Sequence, residues 1–375
     1  MPMNDNEIKV LLIDPLASNI KSHLFDDDLF LAECIFVLVD EILVVSSSAS
    51  IENIRRELNI PTRENTISGR YTRFVRLNLL QIAYRLPCSR FGDVIFQSFE
   101  EVSVLLFMLL HPRKRVHLIV TNNLRSDRLK RHPILGRFFL RATLQYAASV
   151  IVHSQHEVNI IKELLPAIDT AKLFIKPFHQ LAFCRVQLSW KEKSRTILFV
   201  GPESSHKKIE PVVNLIKSDK NRHYRYVFCA MHDDMEPHTR SFLEAQDNVE
   251  LLFCYVATDE YYRLISDSAF IILTHDQDFE GTLSGVFCDA IASNTSVIAR
   301  DMSPHNEFFK QFGAMGFLVD YRNPAWCEQV LRCDLEIKYD EFQRNMALCR
   351  EASSMDSIRN VFKSILYQDN IEKQT

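Results

Sequence analysis

Glycine is scarce in this chain: only Gly69, Gly92, Gly136, Gly201, Gly281, Gly285, Gly313 and Gly316 occur among 375 residues. A fold that brings backbone close to a phosphate uses glycine at that point, so each position matters. Five of the eight lie in the second half. A net positive charge is also lacking. The formal charge of -4 gives no overall attraction to nucleic acid, and no nucleic-acid partner is expected. The nine cysteines include no CxxC pair, which argues against a disulfide framework and a zinc site and fits a reducing cytosol. Long apolar runs are missing too. The stretch Leu29–Val45 is broken by Glu33, Asp40 and Glu41, whereas a membrane span needs roughly 20 apolar residues. The opening MPMNDNEIKVLLIDP has no basic segment before its apolar run, unlike a signal peptide. A cytoplasmic protein is expected.

What is present is a repeated alternation of strand and helix signals. Ile8–Ile13, Glu41–Val45, Asp93–Phe99, Arg115–Val120, Ser149–His153 and Lys172–Lys176 read as strands in the first half. Helical spacing covers 29–39, 71–86, 102–110, 135–148 and 158–164. In the second half, Thr196–Val200, Arg225–Ala230, Val249–Phe253, Ala269–Leu273 and Ser296–Ala299 read as strands. Helices are expected over 209–216, 259–266, 286–293 and 357–367. This alternation predicts an α/β protein with parallel sheets and helices on both faces. Its length predicts two domains. Residues 1–182 form the first, 183–194 a linker, and 195–350 the second. Residues 351–375 carry a terminal helix able to pack back on the first domain.

Chemistry concentrates in two segments of the second half. Gly201 ends a strand and precedes Pro202-Glu203-Ser204-Ser205-His206-Lys207-Lys208. A glycine at a strand's C-terminal end, followed by paired lysines before a helix, suits a diphosphate. An ordinary surface loop with solvated lysines reads the same way. The stronger segment is THDQDFEGTLSGVFCDAIASNTSVIAR, from Thr274 to Arg300. Ser284, Gly285 and Val286 open a helix there, and their unsatisfied amides with the helix dipole make an anion site. Asp289, one turn on, is placed to accept from ribose hydroxyls, and Glu280 from sugar hydroxyls.

The run from Arg195 to Tyr321 resembles the donor domain of the group 1, or family 4, glycosyltransferases of the GT-B fold. Gly201 with Lys207 or Lys208 stands where that family has its glycine and basic residues. The segment NVELLFCYVATDEYYRLISDSAFIIL matches the part that holds the nucleobase, so the resemblance implies base contacts at Tyr255 and Val256. EGTLSGVFCDAIASNTSVIA occupies the place of the family's acidic-glycine loop, second acid and small-residue turn. Asp289 replaces the second of two family glutamates. Gly281 falls at the first, which Glu280 reaches only with a one-residue insertion. Pro202 replaces a basic residue, and Asn294 and Ser296 replace the glycine and proline of the turn.

The resemblance implies two Rossmann-like domains facing a cleft. It implies transfer from a nucleotide-sugar to a hydroxyl of a glycan or lipid-linked glycan. The reaction would be retaining, need no metal and no cofactor beyond the nucleotide-sugar substrate, and serve polysaccharide biosynthesis. Two rivals share the fold: a nucleotide-sugar epimerase and a non-catalytic sugar-binding scaffold. In the first half, His153 follows a strand and is either a ligand contact or a structural polar group; beside Ser154 it also fits a nucleophile pair. Asp14, after the first strand, is a candidate base if the reaction inverts. Asp26-Asp27-Asp28 reads more simply as helix capping than as a metal motif. Between Arg113 and Arg141, Lys114, Arg115, Arg125, Arg128, Lys130, Arg131 and Arg137 alternate with apolar residues, opposed only by Asp127. That mixture suits an anionic membrane surface, which would place the protein peripherally on the inner face of a membrane.

Overall fold

The computed structural model describes residues 7–14, 24–46, 48–64, 90–120, 123–124, 133–182, 185–201, 207–229, 235–253, 256–281 and 283–368. The helix expected over 71–86 lies outside them. The chain divides into two compact units, one formed by Met1–His179 and Met355–Thr375, the other by Gln180–Ser354.

The first unit holds β1 (Lys9–Ile13), β2 (Glu41–Ser46), β3 (Thr62–Glu64), β4 (Asp93–Phe96), β5 (Arg115–Ile119), β6 (Ser149–Val152) and β7 (Leu173–Ile175). Their order is β3-β2-β1-β4-β5-β6-β7, and every neighbouring pair is parallel. Its helices are α1 (Leu24–Phe36), α2 (Ser48–Leu58), α3 (Glu101–Leu110), α4 (Pro133–Tyr146) and α5 (Gln155–Leu164). The inner strands β4 (DVIF) and β6 (SVIV) are rich in β-branched residues and buried along their whole length, as a sheet between helix layers requires. Asp28 lies inside α1 rather than ahead of it, because the helix starts before the apolar pattern does. Its buried carboxylate accepts the Ser46 hydroxyl.

The second unit holds β8 (Ser194–Val200), β9 (Arg225–Cys229), β10 (Val249–Leu252), β11 (Ser268–Leu273), β12 (Ser296–Arg300) and β13 (Gly316–Val319). Their order is β10-β9-β8-β11-β12-β13, again parallel throughout. Its helices are α6 (Glu210–Ser218), α7 (Pro237–Glu244), α8 (Thr258–Asp267), α9 (Gly285–Ala292), α10 (His305–Phe312), α11 (Ala325–Leu331) and α12 (Leu335–Ala352). Right-handed crossovers put α6 and α7 on one face and α8, α9 and α10 on the other. Consistently, α11 packs on α6, while α12 packs on α9 and α10. Gly316 admits no side chain: a Cβ there would sit 2.0 Å from the Val297 carbonyl oxygen.

The described part of the segment read as a linker, 185–194, is docked on the second unit. Lys193 donates to the Thr295 hydroxyl at 2.8 Å, Ser266 to the Val186 carbonyl at 3.0 Å, and Gln343 to the Leu188 carbonyl at 2.9 Å. The last helix, α13 (Met355–Leu366), belongs to the first unit and packs on α1. Arg115 donates to the Leu366 carbonyl at 3.1 Å and the Tyr367 hydroxyl to the Leu38 carbonyl at 3.0 Å. No described helix is long and apolar enough to cross a membrane.

Candidate functional site

In the second unit the strand order reverses between β8 and β11. Connections leave in opposite directions there, which opens a crevice at the strands' C-terminal ends. Gly201 ends β8 with φ of 83°, a backbone shape that side chains disfavour, and its amide donates to the Cys229 carbonyl at 2.8 Å. Lys207 then pairs with His275 in an isolated antiparallel bridge. Lys208 donates its amide to the Thr274 carbonyl at 3.3 Å, and the Thr274 hydroxyl donates back to the Lys208 carbonyl. The loops after β8 and β11 are thereby tied together.

The bridge separates the two lysines. Lys207 is buried, with its ammonium 4.4 Å from the centre of the Phe199 ring and over Gly201, whose missing Cβ would lie 3.6 Å away. It forms no ion pair with a described residue. Burial alone pushes it down to about 8. Lys208 is exposed and points elsewhere.

After β11 the chain makes one 3-10 turn, Gln277–Phe279, which stacks Phe279 on His275 with ring centres 4.0 Å apart. Glu280 follows and is exposed. Gly281, with φ of 80°, donates to the Ser303 carbonyl at 3.0 Å, so the loop before α10 braces the acidic loop. Ser284 is the buried N-cap of α9, and its hydroxyl makes no capping bond. The amides of Gly285 and Val286 stand in the first turn, where no intrahelical acceptor exists. Asp289 is buried and receives the Tyr261 hydroxyl at 2.8 Å and the Tyr262 hydroxyl at 3.3 Å. Burial and the Asp289 charge hold the Tyr261 phenol well above its usual range. Val256 lies just before α8, half-buried; Tyr255 lies outside the described residues.

Sequence reading passed over three residues that this site uses. Tyr261 and Tyr262 occupy the carboxylate of Asp289, and His305 lies under the acidic loop. His305 stacks on Phe287 at 5.0 Å, 6.5 Å from the His275 ring, and burial lowers it to about 4. The paired tyrosines facing an acid were visible as adjacent aromatics on an otherwise polar helix. His305, after a Ser-Pro pair, carried no such signal.

In the first unit, Asp14 follows β1 at the corresponding reversal between β1 and β4. It is buried and accepts the Ser98 hydroxyl. His153 follows β6. Its Nδ1 lies 3.2 Å from the Lys176 carbonyl, and its ring stacks on Phe178 at 4.2 Å. Burial, with the nearby Lys176 and His179, holds it well below the usual histidine range, so it is neutral. A neutral ring donating from Nδ1 leaves Nε2 as an acceptor. Ser154 does not pair with it as a nucleophile. Its hydroxyl caps α5 by accepting the Glu157 amide at 3.2 Å, while the Glu157 carboxylate accepts the Ser154 amide at 3.1 Å. Asp14 and His153 stand three strands apart, about 14 Å at normal strand spacing.

No family model matches the sequence, and no curated protein matches it. Solved structures do resemble it. HepE of Anabaena, in complex with UDP and glucose, aligns over 96% of this chain and 100% of its own, at 11% identity and a TM-score of 0.69. A glycosyltransferase from Rickettsia africae aligns over 98% and 97%, at 16% identity and 0.65. The UDP-GlcNAc 2-epimerase of Neisseria meningitidis, bound to UDP-GlcNAc, aligns over 96% and 100%, at 14% identity and 0.60.

The chain has the GT-B fold.

Within this GT-B chain the second unit brings Gly201, Lys207 and the start of the acidic loop together through the Lys207–His275 bridge, and α9 follows with Ser284, Gly285, Val286 and Asp289. Lys208 and Glu280 are solvent-facing neighbours of that group. Asp14 and His153 belong to the other unit.

Proposed function

We propose that this chain is a glycosyltransferase that moves a sugar from a nucleotide-sugar to a hydroxyl of a glycan or lipid-linked glycan. The buried ammonium of Lys207 over Gly201 at the strand reversal, which forms no ion pair with a described residue, carries the reading. A buried cation is costly unless an anion joins it, and a diphosphate would supply that charge. The α9 amides would take other phosphate oxygens, Val256 and Tyr255 would meet the base, and Asp289 with its two tyrosines would meet the ribose. Glu280 would hold the sugar. The main task is stabilising the departing diphosphate, which lysine and amides perform without a metal or cofactor. His153 and Asp14 would contact the acceptor.

A lipid-linked acceptor fits the surface of the first unit. Helices α3 and α4 pack together and expose Leu109, Leu110, Ile134, Leu135 and Phe138, with Ile134 83% exposed. Arg113, Arg137 and Arg141 are exposed beside them. Apolar side chains framed by arginine suit an anionic bilayer face. Arg125, Arg128, Lys130 and Arg131 of the same stretch lie outside the described residues.

The experiment supplies purified protein with labelled nucleotide-sugars, with and without extracted glycolipid. Label in the glycolipid supports transfer. Donor isomerised without acceptor identifies an epimerase, and nucleotide-sugar binding with no turnover across acceptors identifies a scaffold.

A further inference from the structure

The second unit carries another cavity, a groove of about 590 Å³ between α6 and α11. It opens on the sheet face opposite α8 and α9, away from Asp289 and its tyrosines. Its size is that of a small-ligand site. Lys208, Lys217, Arg300 and Arg322 line it, against two carboxylates, Glu210 and Asp276. Arg322 is engaged by Asp320 at 2.9 Å. The Arg300 guanidinium lies 6.0 Å from the centre of the Tyr321 ring; its charge also acts on the Asp320 carboxylate, but it makes no hydrogen bond with a described residue. The Tyr321 hydroxyl is committed to the Leu273 and Ile298 carbonyls at 3.0 and 3.1 Å, and its ring packs on Trp326 at 5.1 Å. The floor is thus a rigid aromatic wall with an arginine above it.

We infer that this groove is a second ligand site, separate from the diphosphate crevice, for a phosphorylated sugar. Arg300 with Lys208 matches a phosphate dianion; Lys217, whose ammonium lies 5.1 Å from the centre of the Phe242 ring on α7, lines the far end of the groove. Glu210 and Asp276 are acceptors for sugar hydroxyls, and the Tyr321 ring offers an apolar face. The site is mechanically linked to the crevice. Lys207 and His275 are buried at the crevice side of their bridge, while the next residues, Lys208 and Asp276, line the groove. A ligand held by Lys208 and Asp276 grips the two segments that position Lys207.

Calorimetric titration of the full-length Lys207→Gln protein with pyrophosphate and with glucose 6-phosphate tests this, since that variant lacks the crevice cation. Saturable binding is expected, with a change in Trp326 fluorescence that Trp326→Phe abolishes. Adding Arg300→Gln, or separately the exposed Lys208→Gln, should weaken binding about tenfold at an unchanged unfolding temperature. Absence of saturable binding to the Lys207→Gln protein overturns the inference. So does binding that both groove substitutions leave intact. Either result leaves the transferase reading untouched, because that reading stands on nucleotide-sugar turnover by the wild type.

Discussion

The ammonium of Lys207 lies 4.4 Å from the centre of the Phe199 ring, at the C-terminal edge of the sheet, and forms no ion pair with a described carboxylate. Its proton is weakly held, at about 8, because burial disfavours the charge. A diphosphate needs the charged form. Affinity for a nucleoside diphosphate should therefore be full below pH 7 and fall through pH 8, by about tenfold per unit above it. In Lys207→Arg, which stays charged, the profile should be flat across this range. Calorimetry at pH 6.5, 8 and 9.5 reads both; equal slopes for the two proteins would contradict this role.

Gly201→Ala should be damaging out of proportion to one methyl group. The backbone has φ of 83°, and the new Cβ would touch the Lys207 ammonium at 3.6 Å. A loss of about 1–2 kcal/mol in stability is expected from the backbone alone, together with weakened diphosphate binding. Chemical denaturation and calorimetry on the same sample measure the two effects.

Tyr261→Phe removes one donor from the buried carboxylate of Asp289. Leaving that acceptor short should cost about 1–3 kcal/mol. Asp289→Asn should cost less than Asp289→Leu, because an amide still accepts from the tyrosines. Equal stability in all four proteins would mean that the contact is incidental.

In the first unit, Asp93 receives His117 at 2.8 Å and Arg115 at 2.8 Å, and the other nitrogen of His117 lies 2.7 Å from the Ser149 hydroxyl. Burial pushes the Asp93 carboxyl up, but the hydrogen bonds from His117 and Arg115 outweigh it and hold it below its usual value. A lowered carboxyl contributes stability that is present above its unfolded value and lost as pH falls through the folded one. Arg115 also holds Leu366, so Asp93→Asn should loosen α13. Hydrogen exchange over 355–366 should rise in the variant, and its unfolding temperature should vary less with pH between 5 and 3 than that of the wild type.

Phe138→Asp with Leu135→Asp should abolish retention on vesicles containing anionic lipid, while nucleoside diphosphate binding stays intact. Added salt should weaken wild-type retention, because the arginine contribution is screened. Retention unchanged by both would leave the exposed face of α3 and α4 without a membrane role.

The strands were legible because a parallel sheet buried on both faces demands short β-branched runs, such as Ser268–Leu273. The polar helices were not. In α12 the buried residues Leu335, Tyr339, Phe342, Met346 and Cys349 recur at helical spacing, but charged residues between them mask the stripe. Helix α2 was hidden in the same way by its arginines and glutamates. In the candidate site, Gly201 and the opening of α9 could be found from strand–turn–helix order. The choice between Lys207 and Lys208 could not. It depends on a pairing with His275, sixty-eight positions away, that turns one lysine inward and its neighbour out. The tyrosine partners of Asp289 come from a different helix, and only folding brings them to it.

The central claim is that the strand reversal in the second unit holds a diphosphate through Lys207. The direct measurement is calorimetric titration of a nucleoside diphosphate into the wild type and Lys207→Gln at pH 7. At least about tenfold weaker binding in the variant, with an unchanged unfolding temperature, is the predicted result. Equal affinity in the two proteins would contradict it.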